Sequence, residues 1–103
     1  PFVFSTNHFI TPELREADRR TPSGKEISTY RFGYLRWLEE SQPPTSLADI
    51  QRVLTSHEPW APCRHAGPHV SVTLWSMIVL PRDGRLLVAD GPPCTNAYTE
   101  FAL

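Results

Sequence analysis

The chain has 103 residues, enough for one domain or part of one, and its 40% hydrophobic and 11% aromatic content is typical of a globular core. Ten basic and eleven acidic residues leave a net charge of -1, so no excess charge calls for nucleic acid or an anionic membrane. No apolar run reaches the roughly 18 residues of a membrane span, and two cysteines are too few for a disulfide framework.

The N-terminal segment "FVFSTNHF" (2–9) has the pattern of an apolar strand that stops at Thr6, Asn7 and His8. The chain begins with a proline in place of a starting methionine, and we therefore expect an excerpt from a longer protein. The charged stretch "PELREADRRTP" that follows lacks an apolar face and predicts a loop with one helical turn.

Two amphipathic helices are predicted next. Residues 25–41 place apolar side chains on one helical face, and Gly33 weakens this helix by roughly 1 kcal/mol relative to alanine. Residues 46–56 predict a second helix, with Ser46 as its N-cap. Pro43 and Pro44 separate the two helices.

The C-terminal part predicts antiparallel strands. Residues 69–80 form a strand that becomes apolar on both faces, 81–84 form a turn, and 85–90 form the hairpin partner. A short edge strand ends the chain, so the predicted fold is α+β, with an antiparallel sheet and helices on one face. Residues 74–80 need a second layer, which either a larger protein or a homodimer would supply.

Two polar positions on the first helix are unusual. Arg31 lies four residues after Ile27 and four before Leu35, which places its stem on the apolar stripe. A packed stem with its head in water is the common arrangement, although Ser28, one turn earlier, could organise this arginine. The serine could equally contact the helix backbone.

The polar end of the first strand allows acyl-transfer chemistry. Asn7 could donate its side-chain amide to a developing oxyanion, but an asparagine that caps a turn is the commoner case. His8 is a candidate base, although spacing fixes no acid partner for it, and a satisfied, partly buried histidine is the alternative.

The segment "HEPWAPCRHAGPH" contains His57, Cys63, His65 and His69, which raises the question of a metal. Zinc sites commonly pair their ligands at short fixed spacings, and this proline-interrupted segment matches none of them. We therefore predict neither a metal nor a cofactor. Neither Cys63 nor Cys94 has a base at an offset that would make it a nucleophile.

The motifs "STNHF", "STYRFGYLRWL", "PCRH" and "VTLWSMIVLPRDGRLLVADGPPC", in this order, resemble the C-terminal part of the acyl-coenzyme A:6-aminopenicillanic acid acyltransferase family. These are N-terminal-nucleophile hydrolases, related to choloylglycine hydrolase and penicillin V acylase. The likeness covers nearly the whole chain and implies one segment, 1–103, of an αββα sandwich. A second sheet would then cover the apolar strand.

The resemblance also implies roles. The family uses an N-terminal cysteine, whose own α-amino group is the base, to attack an amide or thioester. Asn7 would contribute to the oxyanion hole, with Thr6 and His8 as supports. Ser28 and Arg31 match the family's Ser-x-x-Arg helix, which is directed toward the nucleophile.

The nucleophile is the main departure, because Pro1 is not a cysteine and neither internal cysteine has the family's cleavage context. We therefore expect this chain to be inactive alone and to need the remainder of a parent enzyme, in the cytoplasm, with a small amide or acyl thioester as substrate. A non-catalytic module for dimerisation or ligand binding is the alternative function.

Overall fold

The computed structural model describes residue 6, residues 8–65 and residues 72–103. The chain divides into two compact units, Pro1–Thr45 and Ser46–Leu103. Most of the predicted first strand, including Asn7, lies outside the described residues, and so does the start of the strand predicted at 69–80.

Two helices form the described part of the first unit. The predicted helical turn is confirmed as α1, Pro12–Arg15, and the long helix α2 is Pro22–Ser41. The predicted start of α2 at residue 25 was too late, because Pro22 had been interpreted as a breaker. Thr21 is the N-cap and its hydroxyl accepts from the Gly24 amide at 3.2 Å, while proline is well suited to the first helical turn.

The second unit opens with helix α3, Leu47–Thr55. The predicted N-cap is confirmed, because the Ser46 hydroxyl accepts from the Asp49 amide at 3.1 Å. The helix ends before Ser56, whose backbone is extended, and residues 56–65 contain neither helix nor strand.

Three antiparallel strands follow in the order β1-β2-β3: β1 is Trp75–Leu80, β2 is Arg85–Asp90 and β3 is Thr99–Ala102. The predicted hairpin is confirmed, and its turn is a short 3₁₀ segment followed by Gly84 at φ 61°. The register pairs Ile78 with Leu87, and β3 forms the predicted edge by pairing with β2. The described residues are thus α+β with an antiparallel sheet.

The two faces of this sheet differ in exposure. Ser76, Ile78, Leu87 and Ala89 lie on one face and are buried. The opposite face carries large apolar residues that are exposed, namely Trp75, Met77, Val79 and Phe101. The strand is apolar on both faces, as predicted, and among the described residues the side chains of one face are buried while those of the other are exposed.

Among the described residues, no helix combines the length and the hydrophobicity that crossing a membrane would require.

Candidate functional site

Three predicted site residues converge in the first unit and are called here the strand-end cluster: Thr6, His8 and Ser28. The Thr6 hydroxyl donates to the Ser28 carbonyl at 3.1 Å and lies 3.0 Å from His8 Nδ1. The Ser28 hydroxyl is also 3.0 Å from this nitrogen. Helix α2 is therefore tied to the "TNH" segment, although about twenty residues separate them in sequence.

These contacts favour one tautomer of His8. Since the Thr6 proton is used on the Ser28 carbonyl, a contact between Thr6 and Nδ1 is a hydrogen bond only if Nδ1 carries the proton. We assign the tautomer on this network. The ring also packs edge-on against Phe32, with centroids 5.4 Å apart, so both its plane and its Nε2 lone pair have a fixed direction.

The two residues predicted to be catalytic have different outcomes. Asn7 lies outside the described residues, so its oxyanion role stays a prediction. Arg31 is half-buried on α2, three residues after the buried Ser28. Because residues three apart lie on the same helical face, the Ser-x-x-Arg motif places Arg31 on the face that carries the strand-end cluster.

A cavity of about 490 Å³ lies beside His8, within the roughly 300–1,000 Å³ range of small-molecule sites. Its lining residues are His8, Phe9, Arg15, Asp18, Lys25 and Thr29. Asp18 is already paired with Arg20, at 2.6 Å, and these hydrogen bonds lower the pKa of its carboxyl to about 2. Arg15 and Lys25 add two cationic groups to the lining, and the Lys25 charge also acts on the Asp18 carboxylate.

A second group of polar side chains converges in the Ser46–Leu103 unit and is called here the Cys-His cluster: His57, Cys63, His65 and Cys94. One ligand-type atom from each of the four lies within 4.8 Å of the others. His65 Nε2 contacts each of the other three residues: it lies 3.1 Å from His57 Nε2, 3.1 Å from Cys94 Sγ and 3.8 Å from Cys63 Sγ.

The environments of these four residues differ. Cys63 is buried, Cys94 is partly buried, and the two histidines are exposed. Burial raises the pKa of the Cys63 thiol, and the hydrogen bond with Cys94 raises it further. Both cysteines are free thiols, so the cluster presents two sulfur and two imidazole nitrogen atoms together.

Spacing did not predict this cluster. The spacings of known zinc sites do not match the segment 57–69, and Cys94 lies outside that segment. The β1–β2 hairpin returns the chain so that Cys94 reaches His65, twenty-nine residues earlier. The proline pair Pro92 and Pro93 was the available signal, because a turn at the end of β2 lies near the chain that leads into β1.

No protein-family model, no curated protein and no solved structure matches this chain. The resemblance to the acyltransferase family therefore depends on its sequence motifs.

Proposed function

We propose that this chain is the C-terminal part of a cysteine-nucleophile acyltransferase or amidohydrolase that acts on a small amide or acyl thioester. The observation that supports this most strongly is the strand-end cluster. Thr6 and His8 of the "TNH" motif bond to Ser28 of the Ser-x-x-Arg motif at 3.0–3.1 Å. The two motifs of the resemblance thus lie together, as one acyl-transfer site would require.

In this proposal the remainder of the parent enzyme supplies an N-terminal cysteine. Its α-amino group takes the thiol proton, and the sulfur attacks the substrate carbonyl to give a tetrahedral oxyanion. The C–N or C–S bond of the substrate then breaks, and the leaving amine or thiol takes that proton from the α-ammonium group, which leaves an acyl-enzyme. The side-chain amide of Asn7 donates to the oxyanion formed in the attack. In this proposal Thr6, His8 and Ser28 position Asn7, and Arg31 is directed toward the nucleophile.

The apolar sheet face supports an αββα sandwich. Trp75, Met77 and Val79 of β1 and Phe101 of β3 are exposed on this face of the sheet. Two packed sheets bury such inner faces about 10 Å apart. We propose that the second sheet of the parent enzyme covers this face.

A non-catalytic dimerisation module is the second candidate, and the same exposed face favours it. A second copy of the chain could cover the face equally well. The two candidates differ in the strand-end cluster and cavity, since packing alone requires neither the Ser28–His8 contact nor a cavity with cationic groups.

The cavity also limits the substrate. Because Asp18 is neutralised by Arg20, the Arg15 and Lys25 side chains suit a substrate that carries a negative charge next to its acyl group. A cytoplasmic location stays a prediction, with which two free thiols agree.

The test is to express the gene with the sequence upstream of Pro1 and to determine the N-termini of the product. We expect a chain that begins with cysteine, and acylation of that cysteine by a chromogenic amide or thioester, detected by mass spectrometry. A product with no N-terminal cysteine and no acyl adduct would refute the catalytic proposal and leave the dimerisation module.

A further inference from the structure

We propose that His57, Cys63, His65 and Cys94 form a structural zinc site. This inference is independent of the proposed acyl-transfer function. It depends on the geometry and chemistry of the Cys-His cluster, which lies wholly within the Ser46–Leu103 unit.

The donor set is that of zinc. Thiolate and imidazole ligands in a Cys₂His₂ combination are typical of tetrahedral structural zinc sites, in which four protein ligands leave no position for water or substrate. Soft sulfur ligands disfavour magnesium and calcium, which prefer oxygen. The cluster contains two sulfur and two nitrogen donors and therefore selects zinc by ligand type.

The separations agree with four ligands around one ion. Bond lengths of ~2.3 Å to sulfur and ~2.0–2.1 Å to nitrogen, at tetrahedral angles, give ligand atoms ~3.3–3.8 Å apart. The observed distances from His65 Nε2 are 3.1 Å to His57 Nε2, 3.1 Å to Cys94 Sγ and 3.8 Å to Cys63 Sγ. All pairs of ligand atoms lie within 4.8 Å of one another, so the widest pair must close by up to about 1 Å to complete the tetrahedron.

Hydrogen bonding alone does not account for this convergence. A ring nitrogen carries either one proton or one lone pair, so His65 Nε2 can make one good hydrogen bond. Three ligand-type atoms nevertheless surround it within 3.8 Å. A cation at the centre would interact favourably with all four donor atoms at once.

The backbone around the ligands is held in place by its own contacts. The Thr73 hydroxyl accepts from the Arg64 amide at 2.9 Å and donates to the Pro62 carbonyl at 3.2 Å, which fixes the chain on both sides of Cys63. The Asn96 side chain donates to the Pro92 carbonyl at 2.9 Å and closes the turn that carries Cys94. Both cysteines are thus preorganised.

The turn that carries Cys94 also depends on a glycine. Gly91 has φ 104°, which L side chains rarely adopt, and an added Cβ would lie 2.7 Å from Asn96 Nδ2.

The exposed His57 and His65 give an ion access from solvent, while the buried Cys63 anchors the site. Access and anchoring are both requirements of a metal site.

The experiment measures metal binding by the 103-residue chain and needs no enzymatic activity. The reduced protein is dialysed with Zn²⁺ and then against buffer, and its metal content is measured. We expect one zinc per chain. With Co²⁺ as the probe, we expect thiolate-to-cobalt charge-transfer absorption and the intense visible bands of tetrahedral cobalt, and we expect zinc to abolish both.

Variants identify the ligands. His57→Ala and His65→Ala replace exposed side chains, so they remove a ligand with little effect on the core. Each should weaken binding by more than the roughly 10–100-fold that loss of an outer-shell partner costs. Glu58→Ala, which removes an exposed side chain next to His57 that is not one of the four proposed ligands, is the matched control and should bind zinc as the unchanged chain does. Circular dichroism with and without zinc checks folding, and zinc-dependent folding would support the site.

Three results would overturn the proposal. The first is less than stoichiometric zinc with no charge-transfer band in the reduced chain. The second is zinc binding that His57→Ala and His65→Ala leave unchanged. The third is a protein, purified without reductant, whose thiols react only after reduction, since Cys63 and Cys94 would then form a disulfide. Thiols that become reactive when a chelator is added would support the site.

Discussion

The two polar clusters of this chain differ in how their residues are brought together. The strand-end cluster joins two short motifs, each of which is recognisable in the sequence. The Cys-His cluster joins three residues of one irregular segment to a cysteine beyond the β1–β2 hairpin. A motif can therefore reveal the first kind of site, whereas the second kind is visible only in the fold.

Their chemistry differs as well. In the strand-end cluster, the polar neighbours of His8 Nδ1 are two hydroxyl groups at 3.0 Å, which can each donate or accept a hydrogen bond and are not typical zinc ligands. In the Cys-His cluster, more donor atoms surround His65 Nε2 than one nitrogen can serve. We infer that the first cluster is complete in itself and positions other groups, and that the second requires an ion.

The largest effect that would test this comparison concerns Asn7, which the strand-end cluster is proposed to position. In the parent enzyme, Asn7→Ala should lower kcat by about 10²–10³-fold, or about 2.7–4 kcal/mol, because an oxyanion donor is lost. The measurement is steady-state turnover of a chromogenic amide or thioester. Gln42→Ala, which removes another side-chain amide at an exposed helix end, is the control. Normal turnover with alanine at position 7 would contradict the assignment.

The next largest effect is on the free energy of unfolding, and it tests whether the two clusters are independent of each other. Ser28 is 3% exposed and its hydroxyl contacts His8, so Ser28→Ala should destabilise the chain by about 1–3 kcal/mol. Ser41→Ala, an exposed position at the end of α2, should stay within about 0.5 kcal/mol. Urea unfolding measures both. Zinc binding by the folded Ser28→Ala chain should be unchanged, and a loss of zinc affinity would show that the clusters are coupled.

A pair of glycine substitutions compares the helical first unit with the hairpin of the second. Gly33 lies inside α2, where an added Cβ meets nothing within 4 Å, so Gly33→Ala should stabilise the chain by about 0.5–1 kcal/mol. Gly84 has φ +61°, so Gly84→Ala should destabilise it by about 1–2 kcal/mol. Thermal unfolding tests the pair, and two shifts of the same sign would contradict this account of the backbone.

The smallest effect concerns the cavity beside His8. The Arg20 hydrogen bonds hold the pKa of Asp18 at about 2, below its ordinary 3.8. The ion pair therefore adds stability above pH 3.8, and this contribution is lost as the pH falls toward 2. Asp18→Asn should flatten the dependence of the unfolding free energy on pH in that range. An unchanged slope would show that Asp18 is not the group responsible.

Local patterns predicted much of the described fold. The Ser46 cap located α3, and the alternation and turn residues located β2 and the edge strand, because these signals act within a few residues. The start of α2 was wrong because Pro22 fits a first helical turn as well as a break.

The two sites show the same limit of sequence-based prediction, which is that spacing along the chain does not give contacts between distant segments. Helical spacing placed Ser28 and Arg31 on one face, but only the resemblance brought "TNH" to that face. Spacing along the chain could not predict the contact of Cys94 with His65, because it depends on how far the hairpin carries β2 back past the segment before β1.

Zinc K-edge X-ray absorption of the zinc-loaded 103-residue chain tests most directly the claim that the Cys-His cluster requires an ion. We predict two sulfur atoms at ~2.3 Å and two imidazole nitrogen atoms at ~2.0–2.1 Å around the zinc. A shell made only of oxygen and nitrogen, with no sulfur, would show that Cys63 and Cys94 are not ligands and would contradict the account.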